Sequence, residues 1–405
     1  MDQTESPAAW LRLAVALSLS TLGGIGMWSF PVALPAVQAD FGIVRADASL
    51  PFTLAMLGFA VGGLGMGWLL DRFGIVAPMV CGVAALTVGY LISGSAPNLW
   101  WFAVGHAFIG VGSSATLGPQ MADISHWFSR RRGIAVAICS AGNYLAGTIW
   151  PPVVQHFIAT DGWRATHIGI GVLCAVTMLP LAILPLRRRA PRHDMNVAGT
   201  IAAQAQGLLG ISPNTLMALL CVAGIACCVA MAMPQVHIVA YCGDLGYGPA
   251  RGAEMLALMM GFGIVSRLAT GFVADRIGGL PTLLIGSVLQ GTALFLYLIF
   301  DGLASLYVIS ALFGLFQGGI IPSYAIIIRE YFSPREAGTR VGVVLMATLG
   351  GMALGGWMSG YIFDLTGSYR TAFANGVMWN LLNGAIALWL LLRPGRRVHE
   401  LGRVG

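Results

Sequence analysis

The 405-residue chain is too apolar to be a water-soluble globular protein, since 57% of its residues are hydrophobic and only 9% are charged, whereas soluble domains carry about 25% charged residues. Its net charge is +6, because 22 basic residues outnumber 16 acidic ones. All the basic residues are arginine, and they lie in small groups between apolar runs. Such a distribution does not form the basic face of a nucleic-acid-binding protein. The composition therefore predicts a polytopic protein that spans a lipid bilayer.

Apolar runs of about 20 residues, each long enough to cross a hydrocarbon core of about 30 Å, follow one another along the chain. We expect twelve transmembrane helices, near residues 12–37, 50–70, 75–95, 99–123, 132–158, 166–186, 214–241, 252–274, 280–300, 303–328, 338–363 and 371–392. A long polar stretch interrupts the series after the sixth run. We therefore predict an all-α membrane protein with an N-terminal six-helix bundle at 1–186, a cytoplasmic central loop at 187–213, and a C-terminal six-helix bundle with a short cytoplasmic tail at 214–405.

The loop arginines predict the orientation of the chain. If both termini face the cytoplasm, 17 of the 22 arginines fall on the cytoplasmic side and four on the other side, which is the bias that the positive-inside rule describes. The N-terminus lacks the basic start and cleavage site of a signal peptide, so we expect the first span to be retained. The prediction is a multi-pass protein of the cell inner membrane with both termini in the cytoplasm.

The two halves of the chain repeat each other. The sequence GWLLDRFG at Gly67–Gly74 returns as GFVADRIG at Gly271–Gly278, and WFS at Trp127–Ser129 returns as YFS at Tyr331–Ser333, in both cases 204 residues later. One displacement at two unrelated loops predicts two parallel six-helix repeats, with a cavity at their interface near the middle of the membrane.

The repeated GxxxDRxG pattern resembles the signature loop of the major facilitator superfamily. In that family the charges of this loop latch the two halves together on the cytoplasmic side. The resemblance implies the major facilitator fold, and a role in gating rather than in substrate contact for Asp71, Arg72, Asp275 and Arg276. A solvated turn that carries ordinary inside-positive charges is the alternative.

A second, narrower resemblance concerns the fifth and eighth spans. Residues Trp127–Gly147, WFSRRRGIAVAICSAGNYLAG, resemble the span-five signature of the monocarboxylate transporter family and its bacterial relatives, which include oxalate/formate antiporters. Residues Met233–Leu256, which lead into the eighth span, are similar to the same group. Together these stretches imply a transported substrate that is a small carboxylate.

Arg267 is an arginine inside the eighth span. It lies eight residues before Asp275, so its Cα is roughly 12 Å from the helix end at a rise of ~1.5 Å per residue. A guanidinium at this depth costs between ~2.5 and ~17 kcal/mol unless it faces a polar cavity or a partner. One turn away on either side stand Gly263 and Gly271 rather than an acid. Arg267 therefore needs an anion from elsewhere.

The family resemblance implies that Arg267 binds the carboxylate of the substrate. This sequence departs from the family at three places, since Gly263 stands where proton-coupled members have an aspartate, and neither 21–35 nor 350–361 contains the lysine of some relatives. A single buried cation favours a substrate with one carboxylate, and a planar guanidinium pairs well with it. The alternative is a structural arginine that bonds backbone carbonyls or an acid elsewhere in the bundle.

Other polar or aromatic residues inside the spans are candidates for lining the cavity. They are Trp28, Leu117, Asn143, Tyr144, Gln317 and Tyr324, of which Leu117 occupies a place that relatives often fill with tyrosine. Gln317 and Tyr324 lie seven residues apart, which places them on one face of a continuous helix. Each could instead bond a neighbouring helix. His237 in the seventh span is the candidate for handling a proton.

The sequence contains no phosphate-cradling glycine loop, no zinc-ligand set, no catalytic Ser/His/Asp arrangement and no metal-type spacing among its seven cysteines. We predict no cofactor, no metal and no enzymatic activity. The prediction is a monomeric secondary transporter that moves a small organic anion, first of all a monocarboxylate, by alternating access, with a proton as the candidate co-transported ion. Efflux of larger amphipathic compounds and a non-transporting membrane sensor are the alternatives.

Overall fold

The computed structural model describes residues 5–128, 130–187 and 210–393, and all regular structure within these ranges is helical. The long helices are α1 (Pro7–Gly23), α2 (Ile25–Phe41), α3 (Arg45–Phe73), α4 (Val76–Gly94), α5 (Leu99–Ser114), α6 (Gly118–Trp127), α7 (Arg132–Ile183), α8 (Pro213–Asp244), α9 (Pro249–Ile277), α10 (Gly279–Ile299), α11 (Leu303–Gln317), α12 (Ile320–Tyr331), α13 (Pro334–Thr366) and α14 (Tyr369–Leu392). Most of the expected central loop and the tail from residue 394 lie outside the described residues, so the domain boundaries at 187–213 stay a prediction.

The helices assemble into membrane crossings in a simple way. Each of the pairs α1 with α2, α5 with α6 and α11 with α12 makes one crossing. Helix α7 crosses twice, because it folds back at Gly162, whose φ of 82° and ψ of 160° are readily adopted only by glycine. Counted over the described residues, six crossings precede the central loop and six follow it, which confirms the predicted twelve-helix architecture.

Two crossings break at corresponding places in the two halves, and in each a proline follows the break within a few residues. A proline inside a helix removes one hydrogen bond, and its ring clashes with the carbonyl four residues earlier. For Pro119 that carbonyl belongs to Ala115, between α5 and α6, and for Pro322 it belongs to Gly318, between α11 and α12. The fourth and tenth crossings therefore each consist of two shorter helices.

The internal repeat is visible in the packing as well as in the loops. A Cβ on Gly110 of α5 would lie 2.0 Å from the carbonyl oxygen of Ala55 on α3, and a Cβ on Gly314 of α11 would lie 2.0 Å from that of Met259 on α9. Only glycine permits backbones to approach so closely. Both partners of the second contact stand 204 residues after those of the first, so the two halves share one packing scheme.

The two halves touch on one face of the molecule and separate toward the other. We call the face on which α1 begins the terminal side and the opposite face the far side. Every hydrogen bond between the halves in the described residues lies in the far-side part of the bundle, including that from Thr53 Oγ1 to the carbonyl of Ala353 at 3.0 Å. Nearer the terminal side, a Cβ on Gly271 or Gly350 would meet no atom within 4 Å. Among the described residues, hydrogen bonds thus join the halves on the far side and not on the terminal side, where we infer that the passage between them opens.

Candidate functional site

Arg267 lies where the two halves diverge. Its Cζ sits over the ring of Tyr144, 4.5 Å from the ring centroid, so a residue of α9 in one half contacts a residue of α7 in the other. The side chain is half-buried, and its Nε is buried without a hydrogen-bond partner. None of the ion pairs in the described residues involves Arg267. Among the described residues, the Arg267 guanidinium therefore has no carboxylate partner.

Gly263 makes the Arg267–Tyr144 contact possible. It precedes Arg267 by one helical turn and so lies on the same face of α9. A Cβ at this position would stand 2.4 Å from Cε1 and 2.6 Å from Cδ1 of Tyr144, far inside normal contact distance. The absence of a side chain at residue 263 is therefore what seats the tyrosine ring against α9.

On the N-terminal half, Trp28 and Asn143 lie beside this contact. The indole Nε1 of Trp28 donates to the carbonyl oxygen of Asn143 at 3.0 Å and to its Oδ1 at 3.2 Å. The Trp28 ring and Met260 both approach Gly147, one turn beyond Tyr144 on α7. Trp28 of the first half and Met260 of the second thus pack against the same residue, on the far side of the Arg267–Tyr144 contact.

On the C-terminal half, the end of α11 lies next to α9. Gly318 packs against Gly263 and Ser266 of α9. A Cβ added at Gly318 would lie 2.6 Å from the carbonyl oxygen of Gly263 and 2.7 Å from Cβ of Ser266. The preceding residue, Gln317, accepts a hydrogen bond from Gln235 Nε2 at 2.9 Å, but its own Nε2 has no partner among the described residues. Gln317 is thus a fully buried polar side chain, directed toward α8, whose amide nitrogen has no partner among the described residues.

Tyr324 points elsewhere. Its hydroxyl donates to Asn383 Oδ1 at 2.9 Å, and Asn383 in turn donates to Ser287 at 2.7 Å, all inside the C-terminal bundle. The break at 318–319 separates α11 from α12, so Gln317 and Tyr324 do not share the face of one continuous helix. Leu117, also predicted to line the site, is half-buried in the break before α6.

The far side of the passage is closed by a network around Arg45, whose role the sequence reasoning missed. The Arg45 guanidinium, on α3 of the N-terminal half, pairs with Asp244 of α8 at 3.2 Å and donates to the hydroxyl of Tyr369 on α14. The Asp364 carboxylate of α13 accepts from the backbone N–H groups of Arg45 and Ala46 at 2.9 and 2.7 Å. One arginine and one helix N-terminus of the first half are thus tied to the second half.

His237 extends this network. Its Nε2 donates to the carbonyl of Gly356 at 2.8 Å, which leaves Nδ1 to accept from the Tyr369 hydroxyl at 3.1 Å. Both ring nitrogens therefore have partners, and the ring lies fully buried. The structure places His237 in the closed far side and not beside Arg267; its proton-handling role stays a prediction.

The four residues predicted to act in gating lie on the terminal side, and all four are exposed: Asp71, Arg72, Asp275 and Arg276. In the described residues none of them forms an ion pair. Their latching role belongs to a conformation in which the terminal side is closed, and it stays a prediction. Asp123, at the terminal-side end of the fourth crossing, is buried and pairs with Arg12 through two hydrogen bonds of 2.7 and 2.9 Å.

Comparison with known proteins agrees with this architecture. The chain matches the family model described as Major Facilitator Superfamily over residues 16–303 and 218–404. It is 27% identical to "Monocarboxylate transporter 13" of Bos taurus over 370 residues, which cover 88% of this chain and 82% of the relative. It is 25% identical to "Uncharacterized MFS-type transporter YcxA" of Bacillus subtilis (strain 168) over 368 residues, which cover 88% of each protein.

Among solved structures, the chain is similar in fold to a bacterial homolog of the human lysosomal transporter Spinster in an inward-facing and occupied conformation. The TM-score is 0.74 at 15% sequence identity, and the match covers 96% of this chain and 98% of the other. The family match spans most of the sequence, and the twelve crossings, the internal repeat and the passage between the halves fit it. The chain therefore belongs to the Major Facilitator Superfamily.

Proposed function

We propose that the protein is a secondary active transporter that moves a small monocarboxylate across the bacterial inner membrane by alternating access, as a monomer and without a cofactor or a chemical step. The observation that supports this most directly is Arg267, a cation at the junction of the two halves that no acid among the described residues neutralises. The monocarboxylate transporter relatives support the same substrate class.

The physical reason is the cost of an uncompensated cation inside the membrane. A charge there is tolerated when it faces a water-filled cavity and is functional by default. A carboxylate that pairs with the guanidinium through two parallel hydrogen bonds offsets that cost. Because Arg267 lies beside a residue of the opposite half, a bound anion contacts both halves and can bias their relative position.

Alternating access requires a gate at each end of the passage. The Arg45 network closes the far side, while the passage opens to the terminal side. The distribution of arginines places the termini in the cytoplasm, so we assign the conformation described here as open to the cytoplasm. In the opposite conformation Asp71, Arg72, Asp275 and Arg276 would hold the terminal side closed.

Efflux of amphipathic compounds is the competing function within transport. An export protein for such compounds has no need of a buried cation that binds small acids. Competition by lactate or pyruvate, together with dependence on Arg267, therefore separates the two functions.

The test is uptake by proteoliposomes of radiolabelled lactate, pyruvate and acetate, with and without an imposed pH gradient. The native chain is compared with Arg267→Gln and with the control Arg251→Gln, which removes the same charge from an exposed position on the same helix. We expect uptake by the native chain and by the control, and the level of protein-free liposomes for Arg267→Gln. Equal uptake by Arg267→Gln, in a variant that elutes as a single folded species, would remove the proposed role of this arginine. Stimulation by an inward proton gradient would identify the proton as the coupling ion.

A further inference from the structure

The ring of Tyr144 divides the surroundings of the Arg267 guanidinium into a covered side and an open edge. The cation lies over the ring at 4.5 Å from its centroid, a separation at which the two attract each other. Because Nε is buried while the residue as a whole is half-buried, the accessible part of the guanidinium is the edge formed by its two terminal amino groups. This edge is where a carboxylate can pair with the guanidinium through two parallel hydrogen bonds while the ring covers one face of the cation.

Residue 263 decides whether this arrangement can exist. A Cβ there would collide with Cε1 and Cδ1 of Tyr144 at 2.4 and 2.6 Å, and both atoms belong to a rigid ring. An acidic side chain at this position would take the space that the ring occupies. This chain thus has an aromatic surface next to its buried cation, at the place where a second charge could have stood.

The walls beyond the ring are apolar and close together. Tyr144 is 7% exposed and Trp28 is 8% exposed, and Met260 is fully buried. Tyr144, Trp28 and Met260 carry no positive charge, so a second carboxylate of the substrate placed against them would be desolvated without compensation. A bulky substituent would collide with the same walls.

Resting on the function proposed above, we propose that Tyr144, seated on Gly263, is the residue that sets substrate size and charge at the Arg267 site. The ring supports a short apolar substituent of an acid held end-on by the guanidinium. The site accordingly takes short-chain monocarboxylates and rejects dicarboxylates and acids with an aromatic side chain.

The test compares two acids that share a head group, lactate and 3-phenyllactate, and adds succinate as the dicarboxylate. Each competes with labelled lactate for uptake into proteoliposomes. The variants are Tyr144→Leu, which removes the ring, Tyr144→Phe, which retains it, and Gly263→Ala, which displaces it. Gly261→Ala is the control, because its Cβ would make only ordinary contact with Thr148 at 3.6 Å.

We expect the native chain to prefer lactate to 3-phenyllactate by about tenfold or more, equivalent to ~1.4 kcal/mol, and to ignore succinate. Tyr144→Leu and Gly263→Ala should both bring the two monocarboxylates to within about threefold of each other, or ~0.65 kcal/mol. Tyr144→Phe and Gly261→Ala should keep the native ratio. A ratio of inhibition constants does not depend on the fraction of folded protein, so a partly unstable variant still gives an answer.

Two results would overturn the inference in distinguishable ways. In the first, lactate uptake requires Arg267, but Tyr144→Leu and Gly263→Ala both keep the native preference for lactate over 3-phenyllactate. This result would leave the proposed function intact and remove the role of Tyr144. A native chain that transports neither acid, or that transports both without Arg267, would overturn the proposed function and this inference together.

Discussion

Asp364 offers a direct way to shift the protein between conformations. Its carboxylate accepts hydrogen bonds from the first two backbone N–H groups of α3, at 2.9 Å from Arg45 and 2.7 Å from Ala46, and so caps a helix that belongs to the other half. The contact exists only while the far side is closed. Asp364→Asn keeps one of the two acceptor oxygens, replaces the other by an NH₂ group that cannot accept from a backbone N–H, and removes the negative charge that faces the positive end of the helix.

The magnitude follows from these contacts. A charge at a helix N-terminus contributes about 0.3–1 kcal/mol when exposed, and up to ~2 kcal/mol when partly buried. Asp364 is exposed, while the N–H groups that it caps are partly buried, so we expect a loss of about 1 kcal/mol. The ratio of far-side-closed to far-side-open molecules should then fall about fivefold.

The assay is double electron–electron resonance between spin labels at Ser95→Cys and Ala304→Cys, two exposed far-side positions in opposite halves, in a background without native cysteines. The longer of two distance populations should increase in Asp364→Asn. The matched control is Asp301→Asn, which removes the same charge on the same side but from a pair with Arg370 inside one half. Identical distance distributions for the native chain and Asp364→Asn would refute the assignment of this network as a gate.

Two further predictions concern residues away from the gate. Arg12→Gln should lower the midpoint of thermal unfolding in detergent, because it leaves the carboxylate of Asp123 buried without its partner; the side chains of this pair are 3% and 8% exposed. The expected cost in the free energy of unfolding is about 3–5 kcal/mol. The double variant Arg12→Gln/Asp123→Asn should recover part of this loss, and no recovery would contradict the pairing argument. Gln317→Leu should weaken lactate uptake. Tyr324→Phe should leave uptake unchanged and lower the free energy of unfolding by ~0.5–1.5 kcal/mol, because the Tyr324 hydroxyl bonds inside the C-terminal bundle. The reverse pattern in the same uptake assay would contradict the placement of the two residues.

The sequence was sufficient for the architecture because the bilayer imposes a length on each apolar run, and because a duplicated loop such as the one at Asp71 and Asp275 reports an internal repeat. It also singled out Arg267, since a lone charge inside an apolar helix is conspicuous without knowledge of its neighbours. These features are local in the chain, and the structure agrees with the twelve crossings that they predict.

Contacts between distant segments could not be obtained in this way. The seven-residue spacing of Gln317 and Tyr324 suggested one helix face, but the backbone breaks between them at 318–319. Arg45 is one of only four arginines that the positive-inside distribution places on the far side. That rarity, together with the acids at the ends of the seventh and eleventh spans, Asp244 and Asp364, is the signal in the sequence that points to a gate. The role of Gly263 became apparent only from the position of Tyr144 on another helix.

The central claim is that the Arg267 guanidinium binds the carboxylate of the substrate. Isothermal titration calorimetry of the purified chain with lactate tests it without the need for transport, and Arg251→Gln serves as the charge-matched control. We predict measurable binding to the native chain and to the control, and none to Arg267→Gln at the same concentrations. Equal affinity of Arg267→Gln and the native chain for lactate would contradict the claim.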